Sequence, residues 1–135
     1  MKKNIFAALM MLFVLSNTAP LFSQENKLAQ SWVEGMKQEF PKALCKDAIY
    51  FRQCFKITET ECKTQALQSF EKCLIPTQTE LYKKFGATGT KDLAAEGAFW
   101  GGKLGECSGI DFEKSLLTKR INSDKCNDPK NWTGK

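Results

Sequence analysis

Six cysteines limit what this chain can fold into more than any other feature of its sequence. They lie in the last two thirds of the chain, at Cys45, Cys54, Cys62, Cys73, Cys107 and Cys126. An even number of cysteines in a small exported protein indicates disulfides rather than free thiols. The sequence therefore predicts three bridges, which would form in an oxidising compartment.

The N-terminus has the order of features that is typical of a secretory signal peptide. A positively charged start precedes an apolar run over residues 5–15, and Ser23 offers a small residue for cleavage. The apolar run is shorter than the roughly 20 residues that cross a bilayer, so we expect no stable membrane insertion after cleavage. The sequence predicts a signal peptide over residues 1–23 and a single domain over residues 24–135, which is periplasmic or secreted.

Apolar residues recur at helical spacing through most of this domain. Leu28, Trp32, Met36 and Phe40 mark one face of a first helix, and a second helix is predicted over residues 42–55. No segment alternates apolar and polar residues as a strand would. The pattern predicts an all-α fold, a small domain of about five helices held by disulfides.

The clearest local signal is a capping box that begins the third helix. Thr58 and Glu61 have the spacing at which each side chain bonds the backbone amide of the other residue. The connection to the second helix is short, which favours a central antiparallel helical hairpin. Further along, Gly86 is expected to end a fourth helix and Asp111 to begin the last one. Residues 122–135 are expected to form a coil-like tail.

The predicted hairpin suggests how the cysteines pair. Two cysteines would lie near its closed end and two near its open end, and the remaining two would pair with each other. The predicted bridges are Cys54–Cys62, Cys45–Cys73 and Cys107–Cys126. On a straight second helix, however, Cys45 and Cys54 lie about 180° apart. Either that helix ends before Cys54, or one of its cysteines pairs elsewhere.

Glycines recur at every fourth position between residues 97 and 109. A glycine inside a helix costs about 1 kcal/mol relative to alanine, so this segment is either a helix with a closely packed row of small residues or an irregular loop. Packing within the domain explains either form. A functional interpretation adds a partner-binding surface, because aromatic residues among charged ones are typical interface anchors. The candidate partner-binding residues are Phe99, Trp100, Lys103, Glu106 and Trp132.

Several chemistries are excluded by composition. The chain has no histidine, which excludes Ser-His and Cys-His nucleophile pairs and imidazole metal sites. It has no Cys-x-x-Cys pair, and we expect no metal or cofactor. The net charge of +5 comes from charges of both signs mixed along the chain, which does not indicate nucleic-acid binding. Ser69 and Lys72 have the Ser-x-x-Lys spacing of penicillin-binding enzymes, but the companion motifs are absent.

These features favour an exported, non-enzymatic protein that binds another protein in the cell envelope, as inhibitors and immunity proteins do. Two alternatives stay open. A carrier of a small apolar ligand would need an internal cavity of about 300 Å³ or more. A hydrolase that uses carboxylates alone would need two acids, such as Glu96 and Glu106, facing one cleft about 5–9.5 Å apart. The sequence does not indicate the oligomeric state.

Overall fold

A computed structural model describes residues 22–88 and 92–132 of the chain. Within these ranges the protein forms six α-helices and no strand, which confirms the all-α fold class. The helices are α1 (Phe22–Leu44), α2 (Tyr50–Cys54), α3 (Glu59–Leu74), α4 (Gln78–Thr88), α5 (Leu93–Leu116) and α6 (Asp124–Asn127). Two 3-10 turns follow α5 and α6, at Leu117–Lys119 and Pro129–Asn131. The predicted signal peptide lies outside the described residues except for its last two positions, which belong to α1.

The first part of the chain differs from the prediction of two helices that meet at Pro41. Pro41 lies inside α1, near its C-terminal end, and its carbonyl accepts the Cys45 amide at 3.0 Å. A loop then precedes α2, which has only five residues, so the predicted helix over residues 42–55 is wrong. The loop is stabilised by Asp47, whose carboxylate accepts from Arg52 and whose carbonyl accepts from the Gln53 amide group.

The third helix begins as predicted. The Thr58 hydroxyl accepts from the Glu61 amide at 3.2 Å, and the Glu61 carboxylate accepts from the Thr58 amide at 2.9 Å. Both halves of the capping box are therefore present. Because the four preceding residues Phe55 to Thr58 are extended or irregular, α2 and α3 do not form the long hairpin that periodicity favoured.

The second half of the molecule is dominated by α5. Residues 97–109 are helical throughout, so the segment with recurring glycines is a helix and not an irregular loop. Asp111 lies inside α5 and does not begin a separate helix, because its carboxylate bonds side chains of α3. Gly86 lies inside α4, which continues to Thr88.

The buried residues form two clusters along the α3–α5 pair. The first lies between α1, α3, α4 and α5 and includes Phe70, Leu81, Trp100 and Leu104. The second is built from Phe55, Phe112 and Leu116 together with four of the six cysteines. The helices therefore pack mainly on one side of α5, and its opposite side faces solvent.

The three disulfides join different pairs from those predicted. The observed bridges are Cys45–Cys62, Cys54–Cys126 and Cys73–Cys107. The predicted bridges Cys54–Cys62, Cys45–Cys73 and Cys107–Cys126 are all wrong, because they assumed a helical hairpin that does not form. Cys45 instead lies in the loop after α1 beside the start of α3, and α5 packs along α3 so that Cys107 meets Cys73.

The C-terminal segment is more ordered than the coil predicted over residues 122–135. It forms α6 and a 3-10 turn, and the Cys54–Cys126 bridge attaches it to the end of α2. The Ile121 amide also donates to the Cys54 carbonyl at 2.8 Å. The chain after α5 is therefore fixed against α2 by covalent and backbone contacts up to Trp132.

Candidate functional site

The candidate partner-binding residues of α5 divide between its two sides. Trp100 is completely buried in the first core cluster, so its predicted place on an exposed binding surface is wrong. Phe99, one position earlier, is 60% exposed. Neighbouring helical positions differ by about 100° in direction, and the sequence does not show which of two adjacent aromatic residues turns inward.

A line of exposed side chains runs along the solvent side of α5. Steps of four, seven, eleven and eighteen residues from Phe99 return to nearly the same direction on a helix. The residues at these positions form what we call the α5 outer face: Phe99, Lys103, Glu106, Ile110 and Leu117, the last of which is the first residue of the 3-10 turn after α5. Its three apolar members, Phe99, Ile110 and Leu117, are 60%, 50% and 55% exposed. Lys103 places its ammonium 6.0 Å from the centre of the Phe99 ring.

The glycine row passes from the inner side of α5 to the edge of this face. Successive steps of four residues advance by about 40° around a helix, so the row spirals. A Cβ on Gly97 would lie 3.1 Å from Trp32 Nε1 of α1, and one on Gly101 would lie 3.9 Å from Trp32. At Gly105 and Gly109 a Cβ would have no heavy atom within 4 Å. Close internal packing therefore explains Gly97, whereas a Cβ on Gly101 would be in ordinary contact and those on Gly105 and Gly109 would be in open space.

Trp132 lies at the other end of α5 and is not part of the same surface. Its indole nitrogen donates to the Lys125 carbonyl at 2.9 Å, and its ring centre is 5.4 Å from that of Tyr50. The two rings line an open cavity of about 380 Å³, which we call the C-terminal cavity. Its lining consists of Tyr50, Glu113, Arg120, Cys126, Asn127, Pro129 and Trp132.

The polar groups of the C-terminal cavity converge on Glu113. The Tyr50 hydroxyl donates to the Glu113 carboxylate at 2.9 Å, and Arg120 Nη1 lies 3.8 Å from the same oxygen. Burial raises the pKa of Tyr50, and the hydrogen bond to Glu113 raises this pKa further, so the hydroxyl remains a donor at neutral pH. No local pattern in the sequence indicates this site, because 63 residues separate Tyr50 from Glu113.

The acids considered for carboxylate-only hydrolysis do not share a cleft. Glu96 and Glu106 are ten residues apart on α5, about 15 Å along its axis, and point in different directions. A second cavity of about 250 Å³ does bring together Glu34 and Glu71. Lys37 lies between them, with its ammonium 3.6 Å from Glu34 and 3.4 Å from Glu71.

The Ser-x-x-Lys pair of α3 joins two helices. The buried Ser69 hydroxyl donates to the Asp111 carboxylate at 3.0 Å, and Lys72 forms an ion pair with the same group. The hydrogen bond from Lys72, with that from Ser69, holds the pKa of Asp111 below its usual range. Among the residues that the structure describes, no group of three or more Cys, Asp or Glu side chains is placed to hold a metal ion.

Together these observations define a class, a small all-α protein cross-linked by three disulfides with candidate binding surfaces at the side and end of α5. The chain belongs to the family described as T2SS substrate NttA, whose model matches residues 27–120. Membership of a family of type II secretion substrates implies export. No helix within the described ranges has the length and apolar character needed to cross a membrane. Neither the curated proteins nor the solved structures include a significant match to the chain.

Proposed function

We propose that this secreted protein is a non-enzymatic binding protein, and that its α5 outer face contacts a helix of a protein partner. The observation that supports this proposal is the alignment of Phe99, Ile110 and Leu117, each at least half exposed, along one side of α5. Single exposed apolar residues are common on soluble proteins. Phe99 and Leu117 lie about 27 Å apart, with Lys103, Glu106 and Ile110 between them, and such a strip of apolar and charged side chains is a form of surface that an amphipathic helix recognises.

The surroundings of the strip are suited to a protein partner. Lys103 and Glu106 place charges of opposite sign between Phe99 and Ile110, where they can pair with charged side chains of a partner. Gly102, Gly105 and Gly109 lie along one flank and have open space above them. Small residues in such a row let the backbones of two helices approach closely.

The compartment fits the same proposal. We infer that the three bridges form in the periplasm, where thiols are oxidised, and that the cross-linked domain acts there or after secretion, as an inhibitor or immunity-type protein would. A carrier of apolar ligands is less well supported, because the larger cavity described above is open and lined by Glu113, Arg120 and Asn127.

Site-specific photo-crosslinking tests the proposal. A photo-reactive amino acid is placed at Phe99 of the oxidised protein, and as a matched control at Ile75, which is 73% exposed at the end of α3. We expect a discrete protein adduct from position 99 and none from position 75. Ile110→Asp should abolish the adduct, and Phe99→Ala should weaken binding of the purified partner at least tenfold, as for a typical hot spot.

Two outcomes would contradict the proposal. Equal adducts from both positions would show that α5 has no special affinity. An adduct between two copies of this chain would show that the α5 outer face is a dimer interface.

A further inference from the structure

The C-terminal cavity has the size and rigidity of a small-molecule site. Its volume of about 380 Å³ falls within the range of about 300–1,000 Å³ that is usual for ligand pockets. The Cys54–Cys126 bridge holds one wall, and Arg120 Nη2 donates to the Cys126 carbonyl at 3.3 Å. Cys126 and Arg120 are therefore restrained before any ligand binds, which reduces the entropy lost on binding.

The cavity holds charges of both signs. The Glu113 carboxylate attracts a cation and repels an anion, the Arg120 guanidinium does the reverse, and the two together give a simple ion little net attraction. The Glu113 carboxylate and the Arg120 Nη1 are 3.8 Å apart, which is longer than a hydrogen bond. A hydroxyl group can satisfy both, because it donates to the carboxylate while it accepts from the guanidinium.

The aromatic residues supply the remaining recognition. Tyr50 and Trp132 place their ring centres 5.4 Å apart at an angle of 59°, and both rings line the cavity. The indole nitrogen of Trp132 is already bonded to a backbone carbonyl, which fixes the orientation of the ring. Fixed rings of this kind present apolar surface to the C–H groups of a ligand whose hydroxyls face the other way.

We propose that the C-terminal cavity binds a neutral, polyhydroxylated ring, that is, one unit of a carbohydrate. Such a ligand offers hydroxyls to Glu113 and Arg120 and an apolar ring face to Trp132. This site lies at the far end of α5 from Phe99. Its residue Glu113 is three and four residues from Ile110 and Leu117 of the α5 outer face, but none of the residues that line the cavity belongs to that face. It gives the secreted protein a means of attachment to a glycan.

The test is a titration of the oxidised protein followed by two-dimensional amide NMR. The probes are methyl glycosides of glucose, galactose, mannose and N-acetylglucosamine, with inorganic phosphate and ethylammonium as anionic and cationic comparisons. We expect saturable shifts at the Trp132 indole and at Asn127 with at least one glycoside, with a Kd on the order of 1 mM because the ligand is small. Trp132→Phe assigns the indole signal.

Two glutamate variants distinguish binding in the C-terminal cavity from binding elsewhere on α5. Glu113→Gln keeps the shape of the cavity but removes its charge, and we expect glycoside binding to weaken at least tenfold. Glu106→Gln, on the α5 outer face, should leave binding unchanged. Saturation by phosphate or ethylammonium in place of the glycosides would overturn the inference, as would the absence of shifts at the cavity with every glycoside.

Discussion

Replacing individual glycines of α5 by alanine tests the geometry of this helix directly. A glycine inside a helix costs about 0.5–1 kcal/mol relative to alanine, chiefly through backbone entropy. At Gly102, Gly105 and Gly109 an added Cβ would have no heavy atom within 4 Å. Each substitution should therefore raise the free energy of unfolding by about 0.5–1 kcal/mol.

Gly97 provides the matched control within the same helix. Its Cβ would lie 3.1 Å from Trp32 Nε1, which is closer than ordinary van der Waals contact. Trp32 also packs against Phe85, with ring centres 5.3 Å apart, so its movement would disturb a second contact. We expect Gly97→Ala to be near neutral, since the propensity gain is offset by displacement of Trp32.

Thermal and urea unfolding followed by far-ultraviolet circular dichroism, with the disulfides intact, measures these differences. An increase of 1 kcal/mol corresponds to roughly 3–6 °C in Tm for a domain of this size, which lies between the ranges for smaller and larger domains. The triple variant at Gly102, Gly105 and Gly109 should approach the sum of the single effects. This description of α5 is wrong if Gly97→Ala stabilises as much as Gly102→Ala, or if Gly102→Ala, Gly105→Ala and Gly109→Ala leave the midpoint unchanged.

Two further predictions concern the bridges and the pH dependence of stability. Replacing Cys54 and Cys126 by alanine opens the bridge with the larger sequence separation, 72 residues, and should lower the free energy of unfolding by about 4 kcal/mol. Replacing Cys45 and Cys62, 17 residues apart, should cost about 3 kcal/mol, and the opposite order in urea unfolding would contradict the chain-entropy argument. The pKa of Asp111 is lowered in the folded protein, so its contribution is fully present above the unfolded value near ~3.9 and is lost as the pH falls through the folded pKa. Unfolding free energies measured between about pH 5 and pH 2 should fall less steeply for Asp111→Asn, and parallel curves would show that this carboxylate does not contribute.

The parts of the fold that the sequence predicts well are those governed by nearby residues. The capping box of Thr58 and Glu61 lies within four positions, and the structure contains both of its hydrogen bonds. Helical periodicity likewise predicts the all-α class, because it depends on which residues a short segment can bury.

The parts that the sequence does not predict depend on contacts between distant segments. Periodicity continues from Leu44 to Phe55, yet the chain turns between them because Asp47 holds Arg52 and Gln53. Once this turn removes the long hairpin, every bridge changes partner. A residue suited to a helix N-cap, such as Asp111, can equally serve an interhelical contact, and only the packing of α5 on α3 decides between them.

The α5 outer face and the C-terminal cavity likewise differ in how far the sequence predicts them. Spacing within α5 is enough to place Phe99, Lys103 and Glu106 on one side, but it does not show that Trp100 turns inward. The C-terminal cavity needs Tyr50 of α2, Glu113 of α5 and residues after α5, which are far apart in the sequence and are brought together by the fold. The sequence predicts Trp132 as a residue that binds a protein partner. The proposal from the structure is instead that Trp132 contacts a carbohydrate in the C-terminal cavity.

The open glycines give a way to separate stability from binding. If these glycines served only packing within the domain, alanine at Gly102, Gly105 and Gly109 would raise stability without loss of function, since an added Cβ would have no heavy atom within 4 Å. If the flank of the α5 outer face receives a partner helix, three added methyl groups would hold the two backbones apart. The stabilised triple variant should then give a weaker photo-adduct from position 99 than the unmodified flank does. An unchanged adduct from a more stable protein would show that the partner does not approach along the glycine flank.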